Sequence, residues 1–112
     1  QTFQKADDQA RVDLTQIDVP TFKMVMIDLD AALPGLEGEV LGGAKIFKAN
    51  CLYWLFTADM LTSRLFDVDK AANSPLRKEG LALARQGRQI LQDLGNTGSL
   101  SWADSLIEKL ND

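Results

Sequence analysis

Apolar residues recur at helical spacing along almost the whole chain, in segments separated by proline and glycine. The separating positions are Pro20, Pro34-Gly35, Ser74-Pro75 and the "GNTGS" cluster at 95–99. Four segments therefore read as helices, and residues 1–19 form an additional N-terminal helix or arm. Because short connections favour antiparallel neighbours, the sequence predicts an all-α fold, an antiparallel four-helix bundle with this additional N-terminal element.

The first predicted helix covers residues 20–33. Val25, Ile27 and Leu29 alternate with methionine or aspartate, as the apolar residues of a strand would, but helical spacing fits the segment better. Pro20 suits a first helical turn and Pro34-Gly35 supplies a stop. The predicted buried stripe consists of Phe22, Val25, Met26, Leu29, Ala32 and Leu33.

Before that helix, Phe3, Ala10, Leu14 and Ile17 align on one helical face. This spacing predicts an N-terminal helix that ends near Asp18. A loose arm over the same residues is the alternative.

The second predicted helix lies within residues 36–66. Gly42 and Gly43 together cost roughly 2 kcal/mol relative to alanine in a helix interior, which makes Ala44 an alternative start. A loop at 67–74 is expected to follow. The strongest apolar stripe consists of Val40, Ala44, Phe47, Cys51, Leu55, Ala58, Thr62 and Leu65.

The third predicted helix, residues 75–94, begins after a Ser74 cap with Pro75 in its first position. Gly80 and Gly87 fall on its buried face, where they would let a neighbouring backbone approach closely. In the fourth helix, Ser101 and the acid at position 104 resemble a capping box.

Length and composition favour one ordinary globular domain. The chain has 112 residues, of which 46% are hydrophobic and 25% charged, so a single helical-bundle domain over 1–112 is expected. A net charge of −4 disfavours a nucleic-acid-coating role. The charge is unevenly distributed, since residues 1–39 are acidic and residues 40–94 are net basic.

Residues 44–56, "AKIFKANCLYWLF", form the most apolar stretch. Within it, "GAKIFKANC" at 43–51 resembles the segment that precedes the haem-binding motif of class I cytochromes c. That motif then requires a cysteine and a histidine, where this chain has Trp54 and Leu55, and the chain contains no histidine. We therefore expect no haem, and no other cofactor.

The same stretch is too short to span a membrane. Ten uncharged residues separate Lys48 from Asp59, whereas a bilayer requires about 20. A buried central helix is the remaining interpretation. Tyr53, Trp54 and Phe56 lie beside its main stripe, where they form either plain core or a partner-binding face rich in aromatic anchors.

Enzyme chemistry is not favoured by the residue types present. Without histidine there is no Ser-His or Cys-His pair, and Cys51 on an apolar stripe is expected to be buried and inert. Residues 67–78 lack the glycine and the glutamate of a calcium loop, and no metal site is predicted. Asp28 and Asp30 are expected to be a solvated surface pair. The less favoured alternative is an enzyme in which one of them meets another acid in a cleft.

The third helix carries one patterned polar surface. Arg77, Lys78, Arg85 and Arg88 fall within about a quarter turn, with Leu81 among them. This basic arc could receive an acidic partner or a phosphate-bearing ligand. Alternatively it faces the acidic N-terminal third of its own chain, or water.

These observations predict a non-catalytic binding protein: a small subunit, adaptor, inhibitor or assembly factor of a larger protein complex. The predicted contacts are Tyr53, Trp54, Phe56, Arg77, Leu81, Arg85 and Arg88. An anionic-ligand or nucleic-acid binder using the basic arc is one alternative. An extrinsic subunit of a membrane complex, an architecture similar to the PsbQ-type proteins of photosystem II, is another. Self-association is compatible with each.

Overall fold

The computed structural model describes residues 2–62, 73–98 and 100–111, and these ranges are helical with no strand among them. The all-α prediction is confirmed. The predicted loop at 67–74 falls largely outside the described residues. The five described α-helices are α1 (Phe3–Val12), α2 (Val19–Ala32), α3 (Gly38–Thr62), α4 (Pro75–Asp93) and α5 (Leu100–Asn111), with 3-10 turns at Leu14–Gln16 and Leu33–Gly35.

The N-terminal segment is a helix, but it ends earlier than predicted. Asp13 has an extended backbone, and its side chain accepts a hydrogen bond from the backbone N–H of Thr15. That contact stabilises a turn in place of further helix. The predicted end of this helix near Asp18 is therefore wrong. Asp18 instead caps α2, where its side chain accepts a hydrogen bond of 3.1 Å from the N–H of Thr21.

Two predicted helix starts also need correction. α3 begins at Gly38, so the alternative start at Ala44 is wrong, because Gly42 packs within the helix against α4. α5 already begins at Leu100, so Ser101 is inside the helix and the capping box is wrong. Ser74 does occupy the cap position of α4, but its side chain makes no capping hydrogen bond.

α3 is the central helix, with α2 and α4 antiparallel to it. On one side, Phe22 of α2 stacks against Trp54 and Asp30 pairs with Lys48, so residue numbers fall along α2 as they rise along α3. On the other side, Gly87 of α4 meets Gly42 and Gly80 meets Leu52, which is again an antiparallel order.

The first and last helices complete the packing around α3. Phe3 of α1 contacts Phe47, with ring centroids 4.0 Å apart, and Trp102 of α5 contacts the same ring from 6.3 Å. Arg88 of α4 pairs with Asp104 of α5, and Gly80 of α4 contacts Leu110 of α5. These two contacts make α4 and α5 antiparallel neighbours.

The core consists of two clusters on opposite sides of α3. One joins α1, α2 and α3, and the other joins α3, α4 and α5. The first contains Ala6, Ala10, Phe22, Cys51, Trp54 and Leu55, and the second contains Ile46, Ala49, Ala84, Leu91, Ala103 and Leu106. The prediction that the apolar middle of the chain is a buried helix wrapped by its neighbours is confirmed over the described residues.

Candidate functional site

Trp54, one of the aromatic residues predicted to contact a partner, lies in the core with 4% of its surface exposed. Its Nε1 donates a hydrogen bond of 2.8 Å to Oδ1 of Asp7, and its ring stacks on Phe22. Of the two alternatives for this residue, the structure therefore supports core. Trp54 joins α1 to α3 and offers almost no surface to a partner.

Tyr53 and Phe56, the other two predicted aromatic contacts, are half-buried. Tyr53 packs against both core clusters, and Nζ of Lys109 lies 5.5 Å from the centre of its ring. This cation–π contact covers the ring with the chain's own α5. A binding role for Tyr53 and Phe56 stays a prediction.

The basic arc of α4 is partly neutralised by α5. Arg88 Nε donates to Asp104 Oδ1, and Arg77 Nη2 donates to the backbone carbonyl of Asn111 at 2.9 Å. Leu81 is half-buried, whereas Arg85 is exposed and makes no ion pair with a described residue. Two of the four cations of the arc thus contact α5, whereas Lys78 is exposed like Arg85. Among the described ion pairs, none joins the arc to the acidic N-terminal third.

The acidic N-terminal third instead pairs with Lys48 of α3. Nζ of Lys48 lies 2.6 Å from Oδ1 of Asp30 in α2 and 3.1 Å from Oε1 of Glu79 in α4. Burial alone would lower the pKa of Lys48, but the hydrogen bonds to these two carboxylates outweigh burial and raise it. Asp30 therefore meets a lysine and is no half of an acid pair, and Asp28 is exposed.

Among the described residues, the most buried carboxylate belongs to Asp7, at the side of an open groove of about 390 Å³ between α1, α3 and α5. Its Oδ1 accepts hydrogen bonds from Trp54 and from Asn50, the latter at 2.9 Å, and its Oδ2 accepts from Arg11 Nε at 2.9 Å. Burial alone would raise the pKa of Asp7, but these donors and the charge of Arg11 lower it. A carboxylate stabilised in its ionised form is a poor proton acceptor, so the geometry favours a structural role.

Cys51 is buried as predicted, with none of its surface exposed. Burial, with a smaller contribution from the charge of Asp7, raises the pKa of its thiol to about 12. Since the thiolate is the reactive form, we expect the folded protein at pH 8 to react with a thiol reagent roughly 10³-fold more slowly than the unfolded chain. Absorbance-monitored disulfide exchange with and without denaturant measures this ratio, and comparable rates would contradict the buried thiol.

The described residues contain no group of three or more cysteine, aspartate or glutamate side chains placed to hold a metal ion. In the same part of the chain, no helix is both long and apolar enough to cross a bilayer.

One surface was missed by the sequence reasoning: the outer face of α2. Met24 and Ile27 are 59% and 68% exposed, and Pro20 and Ala31 are exposed beside them. These four residues, hereafter the α2 outer face, lie opposite the stripe that α2 buries. The signal was present in the sequence, because Met24 and Ile27 are apolar residues left outside the predicted buried stripe.

Comparison with protein-family models, with curated proteins and with solved structures found no match for this chain. What it does is therefore inferred from its own residues.

Proposed function

We propose that this chain is a non-catalytic protein-binding bundle, four antiparallel helices with an N-terminal helix, that acts as a small subunit, adaptor, inhibitor or assembly factor of a larger protein complex. The observation that carries the proposal is the α2 outer face. α2 carries two apolar stripes separated by charged residues, and it packs only the inner stripe within the described structure. An exposed apolar stripe rimmed by polar residues is typical of an interaction surface.

The energetics favour covering this face. Fully burying a side chain of the size of Met or Ile contributes about 1.5–3 kcal/mol relative to exposure, and Met24 and Ile27 each keep more than half of their surface in water. Lys23 and Asp28 are exposed beside the apolar residues. An apolar centre with a charged rim is the usual anatomy of a protein interface.

The alternative of an anionic ligand has less support. Binding of a phosphate group requires cations that are available to it, and Arg88 and Arg77 already donate to Asp104 and to the Asn111 carbonyl. Lys78 and Arg85 remain exposed, without an ion pair to a described residue, but two cations on an open, solvated helix face attract a phosphate group only weakly. The protein-docking function is therefore the stronger proposal.

The test is the size of the assembly that contains this chain in a native extract of its source cells, for the wild type and for two variants. We expect the wild type to elute with other proteins, and Ile27→Asp to lose them because it places a charge in the centre of the interface. Leu94→Asp is the matched control, since Leu94 is 56% exposed but lies at the end of α4. A wild-type chain that elutes without other proteins would overturn the proposal, as would loss of the assembly in both variants.

A further inference from the structure

The α2 outer face is complementary to itself, and we infer that the partner it takes is a second copy of this chain, packed across a two-fold axis. This inference rests on the proposed docking role of the face and adds the identity of the occupant. The α2 outer face then joins the two copies, and other proteins of a larger complex bind the dimer through other surfaces.

The spacing of the face matches helix-to-helix pairing. Pro20, Met24, Ile27 and Ala31 are separated by four, three and four residues, the alternation that produces a seam between two packed helices. In an antiparallel pair, Met24 of one copy lies opposite Ile27 of the other and Pro20 lies opposite Ala31. In a parallel pair, each residue meets its own copy. Both arrangements cover the two large exposed side chains.

The charges beside the seam are also self-complementary. At about 100° per residue, Lys23 flanks the seam on one side with Asp30, and Asp28 flanks it on the other. An antiparallel pair places Lys23 opposite Asp30 of the second copy, and a parallel pair places it opposite Asp28. Lys23 is exposed with no ion pair to a described residue, and Asp30 keeps 52% of its side chain exposed while it contacts Lys48.

A second copy of the chain supplies both the apolar seam and the flanking charges that this face requires. Two-fold symmetry uses one patch twice, so each dimer forms two Lys-to-Asp contacts and covers two Met and two Ile side chains. α2 has 14 residues and is about 21 Å long at 1.5 Å per residue. A single pair of such helices gives an interface below the standard size, which implies a reversible dimer of moderate affinity.

The experiment is sedimentation equilibrium on the purified full chain from about 1 μM to about 1 mM, a range that brackets dissociation constants typical of small interfaces. We expect the average mass to rise from 12.3 kDa towards twice that value. Ile27→Asp should stay at the monomer mass with an unchanged helical circular dichroism spectrum, and Leu94→Asp should associate like the wild type.

A charge-swap series tests the flanks. Lys23→Glu should weaken association at least several-fold at low salt, because it sets like charges opposite each other. A second substitution, Asp28→Lys, restores association in a parallel dimer. In an antiparallel dimer Asp30→Asn restores part of it, because it removes the like charge opposite Glu at position 23 without placing a second cation against Lys48. Failure of both to restore it, when Lys23→Glu does weaken it, would overturn the proposed flank contacts.

The outcomes separate this inference from the proposed function. A wild-type chain at the monomer mass over the whole range overturns the homodimer. If Ile27→Asp nevertheless releases other proteins from the native assembly, the docking role of the face stands with a different occupant. A wild-type dimer that elutes from the native extract without other proteins supports the homodimer and overturns the role in a larger complex.

Discussion

Gly87→Ala is expected to lower the free energy of unfolding by about 2–3 kcal/mol, the effect of forcing atoms into a closely packed site. A Cβ atom at position 87 would lie 2.6 Å from the backbone carbonyl oxygen of Gly42 and 2.6 Å from Cγ1 of Ile46. The carbonyl belongs to α3 and cannot rotate away, so α3 and α4 must separate. Alanine is the better helix former by about 1 kcal/mol, and steric overlap has to outweigh that gain.

Gly43→Ala is the matched control for this prediction. Gly43 is also in a helix interior, but a Cβ atom there would meet nothing within 4 Å, so the variant should be neutral or more stable by up to about 1 kcal/mol. Urea unfolding followed by far-ultraviolet circular dichroism measures both. If Gly87→Ala gained stability as Gly43→Ala does, the close contact between α3 and α4 would be wrong.

The glycines also show what the sequence could predict. Their position on the buried stripe of α4 indicated a close backbone approach, and Gly87 confirms it against Gly42. Gly80 instead faces side chains, since a Cβ atom there would lie 3.3 Å from Cβ of Leu52 and 3.3 Å from Cδ1 of Leu110. Gly42 had been counted only as a helix-breaking cost, because its partner lies 45 residues away and local propensity contains no information about that pairing.

The aromatic residues of α3 illustrate the same limit. Periodicity identified the buried helix, but it could not decide whether Trp54 was covered. That outcome depends on Asp7 of α1, which accepts the indole hydrogen bond from 47 residues away. By contrast, the exposed Met24 and Ile27 could have been predicted, since a helix with a second apolar stripe has one more face to cover than its own core requires.

The ion pairs depended on tertiary packing as well. The acidic N-terminal third suggested a partner for the basic arc, but Arg88 pairs with Asp104 of the adjacent α5, and Asp30 pairs with Lys48. Charge distribution along a sequence indicates which regions attract, whereas the antiparallel order of the helices decides which side chains meet. With Arg77, Arg88 and Trp54 committed to internal contacts, the α2 outer face supports a docking role better than the basic arc does.

The second large effect is expected at the hydrogen-bonded carboxylate of α1: Asp7→Ala should lower the free energy of unfolding by about 3–5 kcal/mol, as is usual when one partner of a buried charged network is removed. Asp7 is 5% exposed, and its loss leaves the buried donors of Trp54 and Asn50 without their acceptor. Unsatisfied buried donors each cost about 1–3 kcal/mol. Urea unfolding monitored by tryptophan fluorescence measures the change.

The pH dependence of stability has a fixed sign at this residue. Because the pKa of Asp7 is lowered in the folded state, its contribution is fully present above the unfolded-state value of about 3.9 and is lost as the pH falls through the folded-state pKa. The acid side of the stability curve should therefore be flatter in Asp7→Ala than in the wild type.

The control is Asp8→Ala, which removes an exposed neighbour bonded only to Gln4 among the described contacts and should cost less than about 0.5 kcal/mol. Equal losses in the two variants, or an unchanged acid slope in Asp7→Ala, would show that the Asp7 contacts do not fasten α1 to α3.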